Sequence, residues 1–236
     1  AVLTGVDITA YGADLPDRPS LGRLVRRILK NLPGLPRLRL SSIDSVEADD
    51  DLFRAFAEEE RLMPHLHLSL QAGDDMILKR MKRRHRVRDA VAFCDRLRRL
   101  RPGVVFGADM IAGFPTETGD MFENSLRHVD ECALTYLHVF PYSARPGTPA
   151  ARMPQLSGEL VAARAVALRR KAERALSNFL RGEIGKTRSV LTERGDRGHT
   201  EHYAPVRFSH PVEPGRLLHA EISGAAPGHL IAHAAP

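Results

Sequence analysis

Apolar and polar positions along the 236-residue chain change rhythm in blocks whose lengths predict strands and helices in turn. Five strand candidates are Ala1–Val6, Arg37–Leu40, His65–Leu70, Val104–Ile111 and Tyr136–Phe140. Between them, helical spacing covers Leu21–Leu29, with Ser20 placed to cap it, and a segment through Leu52, Phe53 and Phe56. That segment starts behind Asp49-Asp50-Asp51, whose charge suits the positive end of a helix dipole. Further helices are predicted over Asp74–Met81, Val87–Leu100 and Asp120–Glu131. Repeating β–α units of this length imply parallel strands joined by right-handed crossovers.

After Ala144–Pro149 a long helical pattern runs from Ser157 to Arg181, with Gly182 placed as its C-cap. From Thr187 short β-prone runs take over: Arg188–Thr192, Tyr203–Phe208, Leu217–Ile222 and Leu230–Ala232. Gly195, Gly198, Pro214-Gly215 and Pro227-Gly228 punctuate them, a spacing that predicts a small antiparallel barrel. The expected fold class is α/β. An incomplete parallel (β/α) barrel covers 1–150, a connecting helix 151–185 and a small β-barrel 186–236. Because Ala1–Val6 reads as the middle or end of a strand, the sequence is expected to be part of a longer protein.

Composition adjusts this picture only slightly. An apolar fraction of 43% supports a real core, and 27% charged residues do not suggest disorder. No apolar run reaches membrane-spanning length, and no signal-peptide pattern opens the chain. Cys94 and Cys132 are spaced for neither a disulfide framework nor a metal knuckle, and are expected to be buried cytosolic thiols. An excess of 35 Lys+Arg over 29 Asp+Glu permits a polyanionic partner. The densest charge, Lys79–Arg88, is either a solvated helix end or a set of phosphate contacts.

Polar or glycine residues follow each predicted strand: Gly5, Ser41-Ser42, Gln71, Gly113 and Tyr142-Ser143. In barrel-like parallel folds the site lies at these strand ends, although any βα turn also needs such residues. The stretch Ala108–Thr118 is the most informative of them. Asp109 interrupts an apolar run, Gly113-Phe-Pro breaks it, and an acidic helix start follows. A partly buried Asp109 needs a partner, either a ligand hydroxyl or the next turn. Glu117 is placed to favour the following helix N-terminus. His65 and His67 share a strand face with no third metal ligand evident nearby, so they read as core histidines, as does His138. Neither a catalytic residue nor a metal ligand is assigned, since no GxSxG, Walker loop or metal-spaced set is present.

Taken in order, several motifs resemble the radical-SAM methylthiotransferases that modify tRNA. They are Leu3-Thr-Gly-Val-Asp-Ile, Arg39-Leu-Ser-Ser-Ile, His67-Leu-Ser-Leu-Gln-Ala-Gly-Asp-Asp, Leu78-Lys-Arg-Met-Lys-Arg-Arg, Ala108-Asp-Met-Ile-Ala-Gly-Phe-Pro-Thr-Glu-Thr, and His138-Val-Phe-Pro-Tyr-Ser-Ala-Arg-Pro-Gly-Thr-Pro-Ala. The C-terminal part, with Gly185-Lys and Gly198-His-Thr-Glu-His-Tyr, resembles the TRAM domain, a small RNA-binding β-barrel. The Ser-Leu-Gln and His-Val-Phe-Pro-Tyr-Ser stretches are most similar to the threonylcarbamoyladenosine branch. The isopentenyladenosine and ribosomal-protein branches are the alternatives within the family; outside it the alternatives are a non-catalytic RNA-binding protein and a conventional parallel-barrel enzyme that binds phosphates.

The resemblance implies a 4Fe–4S cluster that cleaves S-adenosylmethionine to a 5′-deoxyadenosyl radical, and a second cluster that supplies sulfur to carbon 2 of an adenosine. It implies that Gly5, Ser41, Ser42, Gln71, Asp109 and Gly113 border the S-adenosylmethionine site, and that Lys82, Arg83, Arg84 and Arg86 contact RNA. The implied partners are the tRNA anticodon stem-loop and an electron donor protein, in the cytoplasm and without a membrane. The family's CxxxCxxC motif has no counterpart here, so these residues alone are expected to bind no cluster and to be inactive.

Overall fold

The computed structural model describes residues 1–234 and divides into two compact units, the first over Ala1–Ala172 and the second beginning at Glu173. The first unit holds β1 (Val2–Leu3), α1 (Leu21–Asn31), β2 (Arg39–Leu40), β3 (Ser42–Ile43), α2 (Asp50–Glu58) and β4 (His65–Gln71). These are followed by α3 (Asp75–Arg80), α4 (Val87–Leu100), β5 (Val105–Ala112), α5 (Gly119–Glu131) and β6 (Leu134–Pro141). The long α6 (Gly158–Gly182) runs across the division between the units.

All strand pairings in the first unit are parallel, as the β–α alternation requires. The order β3-β4-β5-β6 forms one sheet, and β1 pairs with β2. The predicted strand Arg37–Leu40 is longer and bent. Arg39–Leu40 pairs with β1, the Ser41 N–H donates to the Leu3 carbonyl at 2.9 Å, and Ser42–Ile43 turns to pair with β4. One short segment thus bridges β1 and β4. The predicted strand Ala1–Val6 shortens to Val2–Leu3, because Thr4, Gly5 and Val6 leave the ladder for an exposed loop.

β4 shows how side chains divide between the two faces. In His-Leu-His-Leu-Ser-Leu-Gln the leucines at 66, 68 and 70 are at most 1% exposed, while His67, Ser69 and Gln71 on the other face are half-buried. Phe106, Ala108, Met110 and Ala112 of β5 join the leucines against a helical layer containing Val25, Phe56, Phe93 and Leu97. Full burial of such side chains is worth about 1.5–3 kcal/mol each. The opposite face carries His67, Asp109 and His138, which are the start of the site.

Helix starts follow their caps. Ser20 accepts from the Arg23 N–H, and Asp49 accepts from the Leu52 N–H at 2.9 Å. The second Asp49 oxygen takes the Gly22 N–H at 3.1 Å, so one carboxylate ties α1 to the start of α2.

In the second unit, β7 (Thr187–Thr192), β8 (Arg197–Thr200), β9 (Pro205–Phe208), β10 (Leu217–Ala226) and β11 (His229–Ala234) close a barrel in the order β10-β11-β9-β8-β7. The expected antiparallel pattern holds except at β9–β11, which pair in parallel. Val190, Val206, Ala220, Ile222, Leu230 and Ala232 fill its interior. β8 is absent from the predicted set because Arg-Gly-His-Thr has no apolar alternation. Gly182 stays inside α6, and the left-handed residue is Gly185 (φ +82°), whose N–H reaches the Ile222 carbonyl at 2.8 Å. Burial pushes the Glu183 carboxyl up, but hydrogen bonds from Arg188 and Lys186 outweigh it and hold the group below its usual range.

Candidate functional site

The C-terminal ends of β4, β5 and β6 open onto a cavity of ≈ 480 Å³. Gln71, Asp109, Ile111, Phe140, Tyr142 and Thr148 are among its lining residues. Gln71 ends β4 in the left-handed region (φ +68°), beyond a register shift between Leu68 and Gln71. The Tyr142 hydroxyl is buried and has no hydrogen-bond partner. Apolar walls with a few convergent polar groups are the usual make-up of a small-molecule site.

Asp109 lies across from His138 in the β5–β6 register, and His67 lies across from Gly107 on the other side. Asp109 Oδ1 is 3.0 Å from His67 Nε2 and 3.3 Å from His138 Nδ1. Burial lowers the His67 pKa, and the pull of Asp109 in the other direction does not restore it. Asp109 therefore caps no turn. One of its oxygens serves two imidazoles, and Oδ2 has no partner among the described residues. The sequence supplied no third ligand near His65 and His67 because the cluster is drawn from three strands.

The turn after β5 is locked from within. Gly113 (φ +76°) donates its N–H to Glu117 Oε2 at 2.9 Å, and a Cβ there would lie 2.8 Å from Val161. Arg164 of α6 reaches Glu117 Oε2 at 2.7 Å and the Glu117 carbonyl at 2.9 Å. The Glu117 carboxyl is almost fully buried, and that burial raises its pKa against the opposing pull of Arg164 and the Gly113 N–H. The sequence placed Glu117 to favour the α5 N-terminus; its carboxylate instead meets the Gly113 N–H and Arg164, and Thr118 caps the helix by accepting from the Met121 N–H. Gly113 also lines a second cavity of ≈ 420 Å³ with Tyr142, Gln155 and Val161.

The other sequence-derived residues lie elsewhere. Gly5 and Ser42 are exposed, Ser41 Oγ is buried without a partner, and none of the three lines either cavity. The basic run splits in two. Arg83 reaches Asp44 at 3.0 Å and the Ser69 carbonyl at 2.8 Å, while Arg84 pairs with Glu47. Burial pushes Asp44 up, but His85, the Val46 N–H and Arg83 together hold it below its usual range. Lys82 and Arg86 are exposed and have no ion pair among the described residues.

Cys94 and Cys132 are fully buried. A hydrogen bond with Cys94, then burial, pushes the Cys132 thiol far above its usual range. An iron–sulfur cluster needs accessible thiolates, so these two cysteines do not fit one. The first cavity does fit a polar small molecule, since Gln71, Asp109, Ser143 and Arg145 bring polar side chains to a lining that is otherwise largely apolar.

A family model described as the Radical SAM superfamily matches residues 3–129. The threonylcarbamoyladenosine tRNA methylthiotransferase MtaB of Rickettsia prowazekii is 50% identical over 229 residues, covering 97% of this chain and 54% of its own length. The Thermotoga maritima protein of the same name is 38% identical over 196 residues, covering 81% and 44%. A tRNA-2-methylthio-N(6)-dimethylallyladenosine synthase of Streptomyces griseus is 34% identical over 248 residues, covering 99% and 49%. The chain spans about half the length of these curated relatives. Among solved structures, Escherichia coli coproporphyrinogen III oxidase, described as a radical SAM enzyme, superposes with a TM-score of 0.52 at 18% identity. It covers 67% of this chain and 38% of its own, and the likeness concerns the fold alone.

Proposed function

The chain belongs to the radical SAM superfamily, and from that premise we propose that it is part of a tRNA methylthiotransferase acting on threonylcarbamoyladenosine. The observation that carries this reading is 50% identity to the threonylcarbamoyladenosine relative across 97% of the chain. The dimethylallyladenosine branch, at 34% identity in the Streptomyces griseus relative, is the second reading.

In this proposal the cavity at the ends of β4–β6 receives S-adenosylmethionine, which supplies the adenosyl and methyl groups of the reaction. Asp109 Oδ2 accepts from a ribose hydroxyl, the Tyr142 hydroxyl bonds a polar edge of the cofactor, and Phe140 and Ile111 cover its apolar surface. The iron–sulfur ligands are not among these 236 residues, which by themselves are proposed to be inactive. Asp109→Asn and Tyr142→Phe should each weaken S-adenosylmethionine binding by the complete gene product about tenfold, as expected for one buried hydrogen bond. Unchanged calorimetric affinity in both variants would remove the cofactor from this cavity.

The β7–β11 barrel is proposed to be a TRAM-like RNA-binding module. His199 stacks on the half-exposed Tyr203 with ring centroids 4.9 Å apart, a platform on which a base could stack. The proposed partners are the anticodon stem-loop of tRNA and an electron donor protein. The proposed location is the cytoplasm; separately, no helix among the described residues is long and apolar enough to cross a membrane. Of the basic run, Lys82 and Arg86 are free to meet phosphates, whereas Arg83 and Arg84 hold the Asp44–Glu47 segment. Lys82→Ala and Arg86→Ala should each reduce the slope of log affinity against log salt for tRNA by about 1. An unchanged slope in both would leave the run a solvated face.

A further inference from the structure

We propose that His67, Asp109 and His138 form a binding site for a divalent first-row transition ion such as zinc. Donor atoms from the three side chains lie within 4.8 Å of one another. The two separations involving Asp109 Oδ1, 3.0 and 3.3 Å, are those of neighbouring donors in one coordination shell. Metal–ligand bonds of about 2.1 Å place adjacent donors roughly 3.0–3.4 Å apart in octahedral or tetrahedral geometry. Two imidazoles and a carboxylate suit zinc and iron(II) better than calcium or magnesium, which prefer all-oxygen shells.

The backbone makes room for this arrangement. His67 faces Gly107 across the β4–β5 register, and a Cβ at Gly107 would come within 2.9 Å of His67 Nδ1. Any other residue at 107 would push the imidazole off the strand. His67 Nε2 reaches Asp109, and the His138 ring sits 5.1 Å from the His67 ring, centroid to centroid. His138 remains exposed, so one side of the cluster stays open for water or an exogenous ligand. Asp109 also lines the neighbouring cavity, so that ligand would lie beside whatever the cavity holds.

The site requires neither S-adenosylmethionine nor RNA, so it is tested separately from the proposed function. The tag-free 236-residue chain, stripped with a chelator, is titrated with zinc in competition with a chromophoric chelator. One equivalent should bind tightly, and His138→Ala and Asp109→Asn should each weaken it at least tenfold. His138 is exposed and Asp109→Asn preserves shape, so both variants should fold; circular dichroism confirms it. A paired control, His210→Ala with His233→Ala, removes exposed histidines elsewhere and should leave binding unchanged. Binding that survives in His138→Ala and Asp109→Asn, that disappears in the paired control, or that is absent from the unaltered chain would overturn the proposal. The His67–Asp109–His138 contacts would then be hydrogen bonds alone.

Discussion

Replacing Glu117 with alanine is expected to lower the unfolding free energy of the first unit by ~3–5 kcal/mol, the usual result of removing one partner from a buried ion pair. The Arg164 side chain is 8% exposed and that of Glu117 only 1%, so water cannot take the place of the lost carboxylate. The same substitution frees the Gly113 N–H, which has no second acceptor, and the turn that shapes the end of β5 loses its internal tie. Glu117→Gln keeps an acceptor for both donors and should cost clearly less, because burial already disfavours the charged form of this carboxyl. Chemical denaturation of the three proteins checks the order. A loss below about 1 kcal/mol in Glu117→Ala would show that Arg164 finds another partner as the turn relaxes.

Gly22→Ala should also destabilise the first unit, although helix propensity alone favours alanine by about 1 kcal/mol. A Cβ at position 22 would lie 2.1 Å from the Leu52 nitrogen and 2.4 Å from both Asp49 Oδ1 and the Asp51 carbonyl carbon. Two of those atoms are backbone at the start of α2, so relief requires moving a helix rather than a rotamer. It also breaks the Gly22 N–H to Asp49 bond that ties the two helices. Overpacking of this kind costs about 1–3 kcal/mol and occasionally more. A net loss of ~2 kcal/mol or more is therefore expected by denaturation, whereas a gain would mean that α1 and α2 are held apart more widely.

Much of the first unit was legible because its elements obey local rules. Asp49, Ser20 and the Val87–Leu100 periodicity mark helix positions within a few residues, and β4 alternates strictly between core leucines and site-facing polar residues. Bends and partner changes were not legible. That Arg39–Ile43 serves both β1 and β4 depends on a pairing made across the sheet, and β8 carries no apolar pattern at all. The site divides along the same line. Gln71 and Asp109 could be singled out from their places at strand ends, and both line the first cavity. His67 and His138 are 71 residues apart (138 − 67), and only the register of three strands brings them to one carboxylate. Charge density left two readings open for the opposite reason. A run of arginines looks the same whether its guanidiniums face water or, like Arg83, a carboxylate and a carbonyl from other elements.

The most direct test of the proposed function is the modified-nucleoside profile of tRNA from a strain lacking the gene that encodes this chain, read by liquid chromatography and mass spectrometry. The expected result is loss of the methylthio derivative of threonylcarbamoyladenosine, accumulation of its unmodified precursor, and restoration of both by the intact gene. Retention of that methylthio nucleoside, or loss of the methylthio-dimethylallyladenosine instead, would contradict the assignment.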